Sequence, residues 1–428
     1  MYIPYSIKTY VPIILLIALS FWFTAQYIEP PPPKSVTLAA GSKSGFYYQS
    51  ALKYKSYLEN EGLDVTILET SGSVDNIGKL HSGDADIAFV QGGLATEKER
   101  GSFESLNSLF YEPLWIFVRS TKRESNQIVT LKDLQGKKAA IGAKGSGTHA
   151  LSAFMLDING LTDTETTPLS GSSAITALKN KEIDAAFFVS NIESPLIHDL
   201  LADEELQVIS IPHNLAYEKN YDFLSALQLP ASVIDIANNV PATDIQLISP
   251  AAMLVANETF HPALKALLVH STYEIYQEQH NLYAKDVSFP TIHYADLPVS
   301  KQAQRYFENG PSILNKYLPF WVADMINRLK IMIIPLLTVM LPLMKIAPPA
   351  YRWSIRSKIY KWYKSLKKME NNILSKDQDT DINDTIRMLN EMDDEAKKTP
   401  VPLSYADSLY NLRLHIQMIR DKLIEMKK

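Results

Sequence analysis

The sequence of 428 residues contains no cysteine. This absence excludes disulfide scaffolds, thiolate metal sites, iron–sulfur clusters and cysteine nucleophiles. The lipid anchor of a bacterial lipoprotein, which requires an N-terminal cysteine, is not expected either. Any attachment to a membrane is therefore expected to come from the polypeptide itself.

The motifs of common enzymes are also missing. There is no Gly-Lys-Ser/Thr of a P-loop, the turn GAKGSG lacks the glycine order of a dinucleotide fold, and no serine stands in Gly-x-Ser-x-Gly. The nine histidines show no ligand spacing such as His-Glu-x-x-His. We therefore expect a protein that binds without catalysing a reaction and that needs no cofactor or metal.

The chain has little excess of either charge, with 42 Lys+Arg against 47 Asp+Glu and a net charge of -5. At 46% hydrophobic and 21% charged residues, it is expected to fold rather than remain disordered. The balance hides an asymmetry, because residues 350–428 carry 16 basic and 12 acidic residues. The two parts of the chain are therefore expected to face different surroundings.

Two apolar segments are candidates for membrane anchors. Residues 11–28 (VPIILLIALSFWFTAQYI) are long enough for a tilted span. We interpret residues 1–33 as an uncleaved anchor with a proline-rich linker, and a cleaved signal peptide is the alternative. Residues 328–350, within which an apolar run begins at Ile331, are predicted to form a second transmembrane segment. A buried amphipathic helix is the alternative for this second segment.

A basic stretch follows the second segment. Residues 352–368 contain seven Lys or Arg residues, interleaved with Trp and Tyr, and no acidic residue. Such an excess marks the cytoplasmic side of a membrane and is typical of a helix lying on anionic lipid headgroups. Nucleic-acid binding is the less favoured alternative, so we expect no nucleic-acid partner. The predicted topology places both termini in the cytoplasm and residues 34–327 outside the membrane.

Residues 351–428 form a predicted cytoplasmic tail that ends in a heptad-type pattern. Six apolar residues are spaced by alternating steps of three and four: Leu409, Leu412, Ile416, Ile419, Leu423 and Met426. The pattern covers fewer than three heptads, which is short for a coiled coil. A coiled coil has as its alternative a hairpin closed against the apolar residues of a preceding helix, Ile382, Ile386 and Leu389. In either case the pattern predicts a surface at 409–426 for a partner helix or a second copy.

The region between the apolar segments alternates strand-like and helical runs. The predicted strands are Val36–Ala40, Val65–Leu68, Ile87–Val90, Leu114–Val118 and Ala139–Ile141. The predicted helices are Phe46–Glu61, Val74–His81 and His149–Leu156. Strands separated by helices predict an α/β fold with parallel sheets and crossover connections.

One stretch of this pattern occurs twice. Residues 71–90 read SGSVDNIGKLHSGDADIAFV, and residues 170–189 read SGSSAITALKNKEIDAAFFV. Both lead from a Gly/Ser turn through a helix to an apolar strand, which Asp86 precedes in the first copy and Asp184 in the second. The duplication predicts two similar α/β lobes, and chance similarity between two amphipathic βαβ pieces is the alternative.

Each predicted lobe has Gly/Ser-rich turns at helix N-termini. These termini have unpaired N–H groups and partial positive charge, and glycine allows a close approach, so they suit a small carboxylate. The alternative is ordinary N-capping of the helices by Ser73 and Thr148.

The order of several segments resembles one family. The segments are GSKSGFYY at 41–48, TSGSVDNIGKLHSGDADIAFVQ at 70–91, LKDLQGKKAAIGAKGSGT at 131–148, EIDAAFFVS at 182–190 and the stretch 229–269. Together they are similar to the TAXI-type solute receptors of tripartite ATP-independent periplasmic (TRAP) transporters. The resemblance covers residues 35 to about 280. It implies a type II periplasmic-binding-protein fold, in which two α/β lobes joined by a crossover hinge close on a small organic anion or an amino acid such as glutamate.

The resemblance also implies ligand-binding residues. The candidates in the first lobe are Ser42, Gly45, Tyr47, Ser73, Asn76 and Gln91, and those in the second lobe are Ser146, Gly147, Thr148 and Ser190. The alternative role of Tyr47 is packing in the core of the first lobe. The alternative role of Asn76 is that of a capping or turn residue. Arg119 has two interpretations, a carboxylate clamp or an exposed residue at a strand end, and the second is favoured.

These features predict a membrane-tethered receptor that passes its ligand to a TRAP-type permease. The alternative is a sensor whose closure reports through the second apolar segment to a cytoplasmic partner. An enzyme on this fold is the least favoured hypothesis, because the sequence offers no recognisable nucleophile and base.

Overall fold

The computed structural model describes residues 15, 17–120, 128–276, 282–283, 288–374, 382–399 and 401–426. Contacts divide the chain into two compact units. One unit is Pro30–Ile326, and the other combines Met1–Glu29 with Asn327–Lys428. The first unit contains all the strands of the described residues.

The first lobe is built on a five-stranded sheet with the strand order β2-β1-β3-β12-β4. Its strands are β1 (Ser35–Ala39), β2 (Asp64–Leu68), β3 (Ile87–Gln91), β4 (Phe103–Tyr111) and β12 (Ala251–Asn257). β1 is parallel to β2 and β3, whereas β12 is antiparallel to β3 and β4. The helices of this lobe are α1 (Phe46–Asn60), α2 (Ser73–Ser82), α3 (Glu97–Arg100), α8 (Pro262–Tyr276) and α9 (Lys301–Asn309).

The second lobe repeats this design with the strand order β7-β6-β8-β5-β9. Its strands are β5 (Leu114–Arg119), β6 (Lys138–Ala140), β7 (Glu165–Thr167), β8 (Ala185–Val189) and β9 (Leu206–Val208). β6 is parallel to β7 and β8, and β5 is antiparallel to β8 and β9. Its helices are α4 (Gly147–Ile158), α5 (Gly171–Lys179), α6 (Pro195–Ala202) and α7 (Asn214–Asn220), with a 3₁₀ turn at Leu131–Leu134. An antiparallel ribbon of β10 (Ser225–Leu229) and β11 (Ile245–Ser249) completes the strands.

The prediction of all-parallel sheets was wrong, because each sheet contains an antiparallel strand. Only Glu112 and Pro113 separate β4 from β5, and only Pro250 separates β11 from β12. These two connections pass between the lobes side by side, with the Glu112 N–H donating to the Pro250 carbonyl at 3.0 Å, and we call them the hinge. Since β3 and β8 end beside the hinge whereas β12 and β5 start at it, β12 runs antiparallel to β3 and β5 runs antiparallel to β8.

The two copies of the duplicated stretch occupy equivalent positions in the two lobes. Asp86 precedes β3, and its carboxylate accepts a hydrogen bond from the backbone N–H of Thr37 in β1 at 2.7 Å. Asp184 precedes β8, and its carboxylate accepts from the N–H of Lys138 in β6 at 3.0 Å. The same contact between adjacent parallel strands confirms that the lobes share one α/β pattern.

Both faces of each central sheet are buried. In β3, Ile87 and Phe89 pack on one side while Ala88 and Val90 pack on the other. In β5, Trp115 and Phe117 alternate in the same way with the other apolar residues of the strand. Continuous apolar strands are expected where helices cover a sheet on two sides, and this coverage holds the strand ends in fixed positions at the cleft.

The second unit is helical in its described part. α10 (Ile313–Tyr317) and most of α11 (Phe320–Leu329) still belong to the first unit, which ends at Ile326. After the end of α11, the second unit continues with a 3₁₀ turn at Lys330–Met332, α12 (Ile333–Leu374), α13 (Ile382–Lys397), a 3₁₀ turn at Leu403–Tyr405 and α14 (Ala406–Met426). α12 continues without a break from the apolar segment into the basic stretch, through Pro342, Pro348 and Pro349.

The heptad-type pattern of the tail is used within the chain. Leu412, Ile416, Ile419 and Leu423 of α14 are buried against Leu389 and other apolar residues of α13, and against α12. These contacts agree with the hairpin alternative, and a surface at 409–426 for a partner or a second copy stays a prediction.

No single described helix is both long and apolar enough to cross a membrane. One pair, Phe320–Met332 and Pro335–Asn371, meets the criterion together, with a bend of 45° between its members. The first apolar segment lies partly outside the described residues, which cover 15 and 17–28 of it.

Replacing Ile416 with Ala should loosen the tail bundle. Ile416 is 1% exposed, and truncating a buried Ile costs about 2 to 5 kcal/mol. Hydrogen exchange of the full chain should show faster exchange throughout α13 and α14. Met418→Ala is the matched control, because Met418 lies on the same helix and is 63% exposed. A different result would place the seam between chains: the wild-type chain forms oligomers, Ile416→Ala dissociates them, and hydrogen exchange of α13 and α14 stays unchanged.

Candidate functional site

The first Gly/Ser turn, residues 41–45, leads from β1 into α1. Gly45 is the N-cap of α1, and its N–H donates to the Ser42 carbonyl at 2.8 Å. A Cβ on Gly45 would lie 3.1 Å from that carbonyl oxygen, so the tight turn favours glycine. Ser42 is exposed, with its hydroxyl 3.4 Å from that of Ser44. The turn therefore directs the next residues of α1, including Tyr47, towards the hinge.

Tyr47 joins the first lobe to the hinge. Its ring stacks on Phe89 at a centroid distance of 5.3 Å, as expected for the core-packing alternative. Its hydroxyl donates to Oε2 of Glu112 at 2.5 Å. The same hydroxyl accepts from the Ser73 hydroxyl at 3.4 Å. The residue therefore packs in the core through its ring and takes part in a polar network through its hydroxyl.

The second turn places Ser73 and Gln91 together. Gly72 is the N-cap of α2, and Ser73 follows in its first turn. Ser73 Oγ accepts from the backbone N–H of Gln91 at 3.1 Å, so it links the start of α2 to the end of β3. Both residues are buried at 2% exposure. Ser73 is thus not the side-chain cap of α2, which was the alternative role for it.

Asn76 has a structural role. It is fully buried, and its Nδ2 donates to the carbonyls of Ala40 and Phe89 at 2.6 and 2.7 Å. Its Oδ1 accepts from the Thr70 hydroxyl at 2.5 Å. These bonds hold the ends of β1 and β3 together. Since the Asn76 amide already has protein partners for its oxygen and its nitrogen, Asn76 supports the site and is not expected to bind the ligand itself.

The second lobe supplies the turn at 142–148. Ser146 caps α4, accepting from the His149 N–H at 3.1 Å. Thr148 is not a cap, since its Oγ1 accepts from the Val189 N–H at the end of β8 at 3.2 Å. Ser190 follows β8, and its carbonyl accepts from the Trp115 indole at 2.9 Å.

The turns of the two lobes meet across the cleft. The N–H groups of Val74 and Asp75, in the first turn of α2, both donate to the carbonyl oxygen of Gly145 at 3.1 Å. A Cβ on Gly72, whose φ is +123°, would lie 3.1 Å from Ser146 Cα. A Cβ on Gly147 would overlap Gln91 Oε1 and lie 3.1 Å from Ser73 Oγ. These glycines allow the two backbones to touch.

The structure thus brings six of the ten predicted residues into one region. Tyr47, Ser73, Gln91, Ser146 and Gly147 surround the contact between the lobes, and Thr148 stands one residue further along α4. Ser42 and Asn76 lie away from the contact within the first lobe, Gly45 shapes the turn, and Ser190 lies beside the hinge, where its N–H donates to the Pro113 carbonyl at 3.4 Å.

The sequence analysis missed Glu112, which lies in the hinge at 4% exposure. Burial raises the pKa of its carboxyl from 4.5 to about 8, and the Tyr47 hydrogen bond offsets part of this rise. Burial of the Tyr47 hydroxyl and the adjacent Glu112 charge likewise raise the pKa of Tyr47. The one signal in the sequence was a lone acidic residue in the apolar run LFYEPLWIF, which does not reveal that the residue is buried.

Arg119 matches neither of its two interpretations. It is partly buried and donates to the carbonyls of Leu178 and Ile183. It also pairs with Asp184 at 3.3 Å. Since these partners all belong to the second lobe, Arg119 fastens the end of α5 to the sheet.

Two lobes of one α/β pattern, joined by a two-connection hinge and meeting through glycine-rich helix N-termini, define the bilobal fold of periplasmic binding proteins, with two mixed sheets. The chain belongs to the NMT1-like family, whose model matches residues 38–309. The expected fold is confirmed at this level, and the relatives of this class are binding proteins.

Solved structures with a similar course of the chain come from several bacteria. A protein of Bordetella bronchiseptica RB50 is 21% identical, with a TM-score of 0.42, and the match covers 59% of this chain and 74% of that one. The periplasmic aliphatic sulphonate binding protein SsuA of Escherichia coli is 17% identical, with a TM-score of 0.39 and coverage of 56% and 72%. The VFT2 domain of Bordetella pertussis BvgS is 14% identical, with a TM-score of 0.35 and coverage of 60% and 92%.

Replacing Gly72 with Ala should keep the lobes apart. The new Cβ would meet the Ser146 backbone, which cannot move aside as a flexible side chain does, at a positive φ that L-residues rarely adopt. Gly83→Ala is the matched control, because Gly83 also has a positive φ, +74°, but has no atom within 4 Å of the added Cβ.

The distance between the lobes is measurable because the chain has no cysteine of its own. Spin labels on Ser56→Cys in α1 and Thr176→Cys in α5, both exposed, report that distance. The Gly72→Ala variant should shift the distribution to longer distances, and Gly83→Ala should not. Identical distributions in the two variants would mean that the contact at Gly72 does not limit closure.

Replacing Glu112 with Gln should change how stability depends on pH. The pKa of the Glu112 carboxyl is about 8 in the folded chain, whereas its ordinary value of 4.5 applies in the unfolded chain. Between these two pH values the folded state therefore keeps a proton that the unfolded state has lost. The free energy of unfolding therefore falls as pH rises between these values, by up to about 1.4 kcal/mol per pH unit. Gln cannot ionise, so the melting temperature of Glu112→Gln relative to wild type should rise from pH 5 to 8.

Tyr47→Phe provides a second check of this pH dependence. It removes the hydrogen bond that lowers the pKa of Glu112, so the fall in stability should extend to higher pH than in wild type. Parallel pH profiles for wild type and Glu112→Gln would show that Glu112 does not titrate in this range.

Proposed function

We propose that the chain is a membrane-tethered extracytoplasmic solute receptor that binds a small organic anion or an amino acid through its carboxylate. The observation that carries the proposal is the contact between the lobes. Two N–H groups of the first turn of α2 converge on one oxygen atom that belongs to the opposite lobe, the Gly145 carbonyl. A carboxylate oxygen is a stronger acceptor than a carbonyl for the same two donors, because it carries charge.

The same arrangement relates ligand binding to the distance between the lobes. The donors lie on the first lobe, and the competing acceptor lies on the second, in the turn that precedes α4. Because the two turns already touch, a ligand carboxylate that takes these donors would displace the Gly145 carbonyl and separate the turns by its own width, and the N-terminal N–H groups of α4 would then face the carboxylate. The hinge at 112–113 and 250 accommodates such a movement without disturbing either sheet.

Several finer parts of the proposal derive from the resemblance to TAXI receptors and from sequence patterns. We propose that residues 34–327 form the binding domain in the periplasm, that residues 1–33 and 328–350 anchor it in the inner membrane, and that residues 351–428 lie in the cytoplasm. A TRAP-type permease is the proposed partner for transport. The exposure of Trp353, Arg356 and Lys361 on one side of α12 supports the proposed contact of 352–368 with anionic lipid.

One observation favours the sensor as a second candidate. α12 runs without a break from the apolar segment to the bundle, where Ile359 and Leu366 pack against α13 and α14. A continuous helix transmits a displacement along its axis, so a cytoplasmic partner of the bundle would receive it. Genes for a permease beside this one would favour transport, and a signalling gene would favour sensing.

The test of the receptor proposal is ligand binding by the full chain in detergent. A panel of amino acids and small carboxylates is screened by melting temperature, and each hit is titrated by calorimetry. Binding to the folded state should raise the melting temperature by mass action. Ser73→Ala should weaken binding about three- to tenfold, because it removes one hydrogen-bonding group at the site.

Ser82→Ala is the control, since Ser82 lies at the other end of α2, where its hydroxyl interacts with the Lys79 carbonyl and with Asp84. It should leave affinity unchanged. Absence of any stabilising anion in the panel, together with no small molecule released from the purified chain on denaturation, would reject the receptor proposal.

A further inference from the structure

Glu112 has an environment that a carboxyl group rarely has. In the described part of the chain, its side chain hydrogen-bonds to the Tyr47 hydroxyl, and no lysine, arginine or histidine is among the groups that shift its pKa. A buried carboxylate normally needs a cation or several donors, because burial alone penalises the charge. The buried Lys265 of this lobe has such a partner, since its ammonium pairs with the partly buried Glu104 at 2.6 Å.

The position of Glu112 relates it directly to the proposed carboxylate site. Its Oε2 is one hydrogen bond from Tyr47, at 2.5 Å, and Tyr47 is one further hydrogen bond from Ser73, at 3.4 Å. Ser73 belongs to the same first turn of α2 whose N–H groups bind the Gly145 oxygen. A buried carboxyl group that could pair with a cation and a set of anion-binding donors therefore lie two hydrogen bonds apart, on the scale of one small molecule.

We infer that Glu112 selects ligands that carry an ammonium group, so that the receptor takes α-amino acids in preference to simple carboxylates. The ligand ammonium supplies the cation that Glu112 lacks, and the ligand carboxylate takes the donors at the start of α2. Tyr47 stays beside the ammonium and keeps the Glu112 carboxylate in place. This inference rests on the proposed function, and it adds the residue that decides between the two ligand classes proposed there.

The experiment compares ligands that differ only in the amine. Each L-amino acid is titrated into the full chain beside the 2-oxo acid with the same carbon skeleton, from alanine and pyruvate to glutamate and oxoglutarate. The wild-type chain should bind the best amino acid at least about tenfold more tightly than its 2-oxo acid, the range of a charge-assisted hydrogen bond. Glu112→Gln should lower this ratio to about one, mainly by weakening the amino acid.

Glu59→Gln is the matched control. It removes one carboxylate from the exposed surface of α1, where Glu59 pairs with Lys55, and it should keep the wild-type ratio. The ratio measured on the wild-type chain is a test in itself, so the inference remains open to refutation even if Glu112→Gln does not fold.

The outcomes separate the two claims. Binding of 2-oxo acids or other carboxylates as tightly as amino acids would overturn the role of Glu112 and leave the receptor proposal standing. An amino-acid preference that persists in Glu112→Gln would also overturn it. Failure of every amino acid and every carboxylate to bind would reject the receptor proposal and the inference together.

Discussion

The shortness of the two connections between the lobes is the constraint on which the rest of the binding unit depends. Glu112 and Pro113 form one connection and Pro250 the other, and a hydrogen bond joins them. Because both connections cross between the lobes where β3 and β8 end, β12 and β5 start at that place and run antiparallel to these neighbours. The two connections also bring the ends of β3, β4 and β8 close to one point, where the turns before α2 and α4 meet.

Burial at this point explains the chemistry of the site. A carboxyl group in the hinge is shielded by both lobes, which raises its pKa and leaves it with a phenol as its partner. The helix N-termini opposite it are accessible to backbone oxygen because glycine occupies positions 72, 145 and 147. The site therefore combines donors for an anion with an acid that has no cation, and neither component depends on the net charge of the chain.

The helical unit shows how one sequence pattern allows two structures. The seam of α14 has the spacing of a short coiled coil, which suits packing between chains or within one chain. In this structure its residues are buried against α12 and α13. A short seam gains more from neighbours in the same chain, because the entropy of association is avoided.

Local patterns predicted much of the fold. Strands β1, β2, β3, β5 and β6 and helices α1, α2 and α4 begin and end within a few residues of their predicted bounds, since alternation of apolar residues and Gly/Ser turns are local properties. The duplicated stretch also predicted two lobes, and the matching contacts of Asp86 and Asp184 agree with it. The directions of β5 and β12 were not predictable in this way, because direction depends on which sheet a strand joins.

The same division applies to the candidate site. By itself, the sequence determined which turns have glycine and serine at helix N-termini, and it identified Tyr47, Ser73, Gln91 and Ser146 as residues of those turns. Only the tertiary structure decided that turns about 70 residues apart touch, that the Asn76 amide is engaged within its lobe, and that Glu112 is buried. The physical reason is that burial and pairing depend on contacts between residues distant in sequence, whereas periodicity and turn chemistry are set by neighbours.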